Sequence, residues 1–311
     1  MSDCDLSDPA FTDEDKAREV IEASRWPNGV TCPHCGLSEF VKILGGKSMG
    51  PGWYHCAQCR EKFTVRTGTL YERSHIPLHK WLLATHLLTS SKKGISAHQL
   101  FRMLGFGSYR TAWFMAHRIR EGMRSGNLAP MGGNGSIIEI DESYIGRKPG
   151  VEPKRGWVRH KHAVLTLVER GGSARSFHVD DVTKEQIVPI INANIDRESH
   201  LMTDEARRCE AIGKQFASHG VVDHSREEYG YTDRATGRKI NTNTVEGYYS
   251  IFKRGMKGVY QHCSEKHLHR YLAEFDFRYS NRSALGVEDG ERAAKALKGI
   301  EGKRLTYRIP H

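Results

Sequence analysis

With 311 residues, 38% hydrophobic and 27% charged, the chain has an ordinary globular composition and room for one sizeable domain plus one or two small modules. No apolar run approaches the roughly 18–20 residues of a membrane span, and the start lacks a basic-then-apolar signal pattern, so a membrane partner is excluded and a cytoplasmic protein is expected. The net charge of +10 is uneven, with −6 in residues 1–24 and +16 in the remainder, a body suited to a polyanion and above all to nucleic acid. Charge alone leaves open a solvated basic surface with no partner.

In chain order, residues 1–26 read as an acidic helix capped by Thr12, with Asp15 as its capping-box partner and Phe11, Val20 and Ile21 as a modest apolar face. Pro27, Asn28 and Gly29 break it. Residues 27–73 hold Cys32-Pro33-His34-Cys35 and Cys56-Ala57-Gln58-Cys59. Seven cysteines, an odd number with four in paired units, argue for metal over disulfides, and this spacing is that of a zinc ribbon binding one structural Zn²⁺ through Cys32, Cys35, Cys56 and Cys59. β-Prone runs at 40–43 and 53–54 with turn glycines fill the interval, and metal is expected to supply much of the stability of so small a module. Ribbons hold DNA, RNA and protein alike.

Residues 74–125 read as three helices. Pro77 opens the first, Gly94 separates it from a second over 96–104, and Ser108 caps a third running to about Met123. On the third, Ala112, Trp113, Ala116, Ile119 and Met123 are expected to face inward and Arg110, Arg118 and Arg120 outward. This outlines a helix-turn-helix DNA-binding module, although a structural helical connector would show the same hydrophobic pattern. Residues 126–135 form a linker by composition.

From 136 the pattern becomes α/β. Strands are expected at 136–145, 161–169 and 173–181, a helix at 183–195, and short strands at 200–204 and near 220–224. A long helix follows over 244–260, then another over 266–279, before a helical tail at 284–311. Three antiparallel strands, a crossover helix, two parallel strands and a covering helix give the order of a ribonuclease-H-like domain over 136–283.

Cleaving a phosphodiester without a covalent intermediate can be done with two Mg²⁺ ions about 3.5–4 Å apart, given converging carboxylates. The strand Ile138-Glu139-Ile140-Asp141-Glu142-Ser143 puts Ile138 and Ile140 on one face and Glu139, Asp141 and Ser143 on the other. Asp204 ends a short apolar strand. On the long helix Glu246, Ser250, Lys253 and Lys257 share a face, two turns separating an acid for metal from a base for phosphate. Glu139 remains an alternative to Asp141, and Glu205 to Asp204. Asn243 reads as the helix N-cap. Lys148, Lys154 and Arg155 lie in a basic segment between the first two strands, which either tracks DNA backbone or is a solvated hairpin. None of the seventeen histidines has ligand spacing with the ribbon cysteines, and His219 and His224 are read as structural.

The stretches Ile140-Asp141-Glu142-Ser143-Tyr144-Ile145-Gly146, Thr203-Asp204 and Asn243-Thr244-Val245-Glu246-Gly247-Tyr248-Tyr249-Ser250-Ile251-Phe252-Lys253-Arg254 resemble the zinc-ribbon DDE transposases of bacterial insertion sequences, the ISXO-type family. Further matching stretches are Lys266 to Arg278 and Gly302 to Arg308. The resemblance implies that Asp141, Asp204 and Glu246 are a triad for two Mg²⁺ (or Mn²⁺) ions, with Lys253 as the accompanying base. It also implies hydrolysis at each element end, followed by attack of the freed 3′-hydroxyl on a target strand. The expected partner is double-stranded DNA, both element ends and target, bound by a homodimer or larger assembly, with the protein on the nucleoid when bound. A transcription regulator would share the ribbon, helices and charge but needs no triad. A ribonuclease-H-like nuclease or resolvase would share the triad but stop after hydrolysis.

Overall fold

The computed structural model describes residues 5–46, 49–126, 128–154, 158–204, 213–223 and 229–306. The chain forms two compact units, one of residues 1–124 with 287–311 and the other of residues 125–286.

In the first unit, a 3₁₀ turn at Pro9–Phe11 leads into α1 (Glu14–Arg25). Its cap is Asp13 rather than the expected Thr12: the Asp13 carboxylate accepts the Lys16 N–H at 2.8 Å, while the Thr12 hydroxyl turns back to the Pro9 carbonyl. Strands β1 (Val41–Leu44), β2 (Trp53–Cys56) and β3 (Lys62–Phe63) form an antiparallel sheet in that order. Tyr54 and Phe63 stack at 5.5 Å and Trp26 meets both edge-on, covering the inner side of the cysteine pairs.

Helices α2 (Leu78–Ser90), α3 (Ala97–Met103) and α4 (Tyr109–Met123) follow. Ser96 and Ser108 cap the last two through the N–H groups of Gln99 and Arg110. The chain returns to this unit as α8 (Asp289–Lys298), docked on α2 through buried Arg292, which donates to the carbonyls of Thr89 and Val287 and pairs with Asp289. Close approach of α8 and α4 depends on a glycine, because a Cβ at Gly299 would lie 2.1 Å from the Gly122 carbonyl oxygen. Since α2, α3 and α8 all pack on α4, its buried surface is wider than one apolar stripe. Arg120 is consequently 1% exposed, and the expectation that it faces outward is corrected.

The second unit is built on a five-stranded sheet. Its strands are β4 (Ile137–Ile145), β5 (His162–Glu169), β6 (Ala174–Val179), β7 (His200–Asp204) and β8 (Ser218–Val222), in the order β6-β5-β4-β7-β8. The pairs β4/β5 and β5/β6 are antiparallel, and β4/β7 and β7/β8 parallel. Helix α5 (Lys184–Asn194) makes the crossover that parallel pairing requires and packs Ile187 and Ile191 on Ile138, Ile140, Leu165 and Leu167.

A small hairpin of β9 (Tyr231–Thr232) and β10 (Lys239–Ile240) precedes α6 (Asn243–Gly255), which widens into a π-helical turn at Met256–Tyr260. With α7 (Glu265–Ser280), α6 covers the opposite face of the sheet, where Val245, Tyr248, Tyr249, Phe252, Leu268, Leu272 and Phe275 meet Val164 and Val168. The alternation read from β4 is thus obeyed, with Ile138 and Ile140 in one core and Glu139 and Ser143 buried on the other side. No helix among the described residues is long and apolar enough to cross a membrane.

Candidate active site

Strands β4 and β7 run parallel with Ile140 opposite Thr203, so the next residue of each, Asp141 and Asp204, comes at the same level of the sheet. Carboxylate oxygens of Asp141, Glu142 and Asp204 all lie within 4.8 Å of one another. Asp141 is held at about 7, first because burial penalises its charge and then because Asp204, Glu142 and Glu246 are negative neighbours. An N–H from Glu142 to its Oδ1 at 2.7 Å offsets this only in part. Such a concentration of hard oxygen donors fits a divalent cation of the Mg²⁺ or Mn²⁺ kind.

Glu246 sits in the first turn of α6, exposed, and stands outside the three-carboxylate cluster while adding its charge to the field at Asp141. The Thr242 hydroxyl donates to Glu246 Oε1 at 2.9 Å. Two turns on, Lys253 is exposed with its Nζ 5.6 Å from the centroid of the Tyr249 ring. The Tyr249 hydroxyl lies 2.9 Å from the carbonyl oxygens of both Asp141 and Val164, tying α6 to the backbone beside Asp141.

Glu139 has a different place. It is fully buried, and its carboxylate accepts the N–H groups of Thr244 and Val245 and the Thr244 hydroxyl at 2.7–2.9 Å. Arg170 donates to it at 2.5 Å and, with its remaining nitrogens, to the carbonyls of Lys239 and Asn241. The N-terminal amides of α6 are therefore satisfied by Glu139 and not by the expected Asn243 cap. This occupation removes Glu139 as the alternative to Asp141. The alternative to Asp204, Glu205, lies outside the described residues. Glu142 was not anticipated in the cluster, because strict alternation puts it on the other side of β4.

In the ribbon, Cys32 and Cys59 lie 3.6 Å apart at sulfur, as do Cys35 and Cys56, and all four sulfurs are within 4.8 Å. The Cys56 thiol is drawn down to about 7, first by the Cys59 backbone N–H, while burial and the neighbouring sulfurs raise Cys35 and Cys59 against their own backbone donors. The donor set and its closeness suit one tetrahedral Zn²⁺.

The expected DNA-contacting cations divide. Arg110 is exposed at the start of α4. Arg118 is half-buried over the Phe114 ring, 4.7 Å from its centroid, and Arg120 is inside. Lys148 donates to the Asp180 carbonyl at 2.9 Å, while Lys154 and Lys257 are exposed. Arg155 and His224 lie outside the described residues. His219 meets the Thr203 hydroxyl at 2.9 Å.

Both units carry recognisable sequence families. Residues 12–62 match the transposase zinc-ribbon domain and residues 132–280 the ISXO2-like transposase domain. The chain belongs to the transposase family that these two domains, in this order, define. It is similar to a Halobacterium salinarum protein described as an uncharacterized protein in transposable element ISH50, with 27% identity over 284 residues, covering 86% of this chain and 91% of the relative.

Proposed function

We propose that this insertion-sequence transposase binds the terminal inverted repeats of its element and cuts and joins DNA at Asp141, Asp204 and Glu246. The observation that carries the reading is the convergence of carboxylates around Asp141, with charge enough to hold that group at about 7. The strand order, with two parallel pairs beyond an antiparallel trio, supports a ribonuclease-H-like reading of the sheet.

Two divalent ions bound at the triad would activate the attacking oxygen and stabilise the leaving one. Asp141 and Asp204 present their carboxylates from adjacent strands, where the sheet fixes their spacing. Glu246 adds a third from α6, whose first turn is anchored by Glu139 and whose Tyr249 grips the backbone at Asp141. Lys253, on the same helix, holds a non-bridging phosphate oxygen and aligns the scissile bond. After hydrolysis the freed 3′-hydroxyl stays in this frame to attack the target strand.

The ribbon, with its zinc, and α3–α4 recognise the element ends. The short turn between these helices and the exposed Arg110 at the N-terminal end of α4 support a helix-turn-helix reading. Lys148, Lys154, Arg155 and Lys257 contact the phosphate backbone, and Arg120 is withdrawn from this set. Two ends are joined by a dimer or larger assembly on DNA, in the cytoplasm and on the nucleoid.

The test is incubation of the full chain with a labelled element-end duplex, a target plasmid and Mg²⁺, beside Asp204→Asn. Joined products from the wild type alone uphold the reading. Cleavage without joining would support a nuclease, and binding with neither product a regulator.

A further inference from the structure

The sheet brings together a second group of metal-ligating side chains outside the acidic cluster. His162 opens β5 and His178 lies near the end of β6; Val164 pairs with His178, so both imidazoles share the face covered by α7. Glu265, the first residue of α7, stands over them. One atom from each of the three residues falls within 4.8 Å of the others. Glu265 Oε1 is 3.8 Å from His162 Nδ1 and 3.7 Å from His178 Nε2. These separations are too long for hydrogen bonds. Both nitrogens are buried and have no hydrogen-bond partner.

We propose that His162, His178 and Glu265 form a binding site for a divalent transition metal, zinc in class, separate from the ribbon and from the acidic cluster. Four-coordinate zinc at roughly 2.0–2.2 Å from its ligands spaces them about 3.3–3.6 Å apart, so the two carboxylate–imidazole separations need close by only a few tenths of an ångström. Two imidazoles and one carboxylate are a zinc donor set that leaves a position for water, whereas Mg²⁺ prefers oxygen alone.

Burial, then the neighbouring His162, lower His178 below the usual histidine range, against the carboxylate of Glu265. Asp180 and Lys148 act on His178 with opposite signs. His162 is 3% exposed, and the half-exposed Glu265 closes the site from the solvent side. The ion answers the question that two buried, unpartnered ring nitrogens pose. It also pins the N-terminus of α7 to the antiparallel edge of the sheet. Neither ribbon nor triad is needed for this inference.

The test counts zinc in the full-length protein after removal of loosely held ions, by elemental analysis. Two zinc ions per chain are expected in the wild type and in Asp204→Asn, and one in His178→Gln, in Glu265→Gln and in Cys56→Ser. Titration of Zn²⁺ into the one-zinc His178→Gln protein should show binding weakened by about 100-fold or more, since losing even a group behind a ligand costs roughly 10–100-fold. Circular dichroism of the half-exposed Glu265→Gln variant separates ligand loss from misfolding. A wild type holding one zinc that Cys56→Ser removes would overturn the proposal. So would a His178→Gln protein that keeps two, or a second zinc lost in Asp204→Asn but kept in Glu265→Gln.

Discussion

Glu139 on β4 accepts the backbone N–H of Val245 at 2.9 Å, so the strand that carries Asp141 holds the first turn of the helix that carries Glu246. The same carboxylate is paired with Arg170 and is fully buried. Glu139→Ala leaves that guanidinium without its partner and two helix amides unsatisfied. Breaking a buried pair from one side costs about 3–5 kcal/mol, and denaturant unfolding of the second unit should show a loss of that order. Glu139→Gln retains one acceptor and should fold, with weaker Mg²⁺-dependent cleavage because Glu246 is less well placed. Unchanged stability in Glu139→Ala would contradict this role.

Arg110 and Arg120 are both basic residues of α4, yet one is exposed and the other is 1% exposed. Arg110→Ala should leave the melting temperature within about 1–2 °C and weaken element-end binding, with a shallower salt dependence. Arg120→Ala should instead lower the stability of the first unit by about 2 kcal/mol or more, because it empties a packed position. Electrophoretic mobility shifts across a salt series, beside thermal melts, separate the two effects.

Asp276 is buried beneath α6 and accepts the Tyr248 hydroxyl at 2.6 Å, the Ser176 hydroxyl at 2.7 Å and the Ser176 N–H at 2.8 Å. Burial outweighs these donors and raises it to about 6 from an ordinary 3.8. The folded state thus binds this proton more tightly than the unfolded chain. Its contribution favours folding fully below about pH 4 and is lost as pH rises through about 6, a change on the order of 3 kcal/mol. Across that window, the stability of Asp276→Asn should fall less with rising pH than that of the wild type. Parallel stability–pH curves for the two proteins would refute the assignment.

The ribbon buries few residues besides Tyr54, Phe63, Cys32 and Cys56, so zinc supplies what the small core does not. Cys56→Ser should release the ribbon zinc, expose Trp26 to solvent as a red shift in fluorescence, and abolish specific end binding. The second unit should keep its own unfolding transition.

The closeness of the four cysteines and of the acids at 141 and 204 was legible because each depends on local spacing: two Cys-x-x-Cys turns, and acids placed within or at the end of apolar strands. Glu142 was missed and Arg120 misread for opposite reasons. Idealised alternation overstates how far apart the carboxylates of adjacent residues within a strand stay, since those of Asp141 and Glu142 come within 4.8 Å. Idealised helix faces understate burial when a third helix, here α8 from nearly 170 residues further along, covers the other side. Glu139 was undecidable from the sequence, since its partners Arg170, Thr244 and Val245 are assembled only by the strand pairing and the packing of α6. The meeting of His162 and His178 on one face of the sheet is likewise a product of register rather than motif.

The most direct measurement of the central claim is Mn²⁺ binding, followed by its paramagnetic signal, to zinc-loaded protein on element-end DNA. The account predicts two Mn²⁺ per wild-type chain, at most one in Asp204→Asn and Glu246→Gln, and strand joining lost in step. Full Mn²⁺ occupancy with intact joining in Asp204→Asn would contradict it.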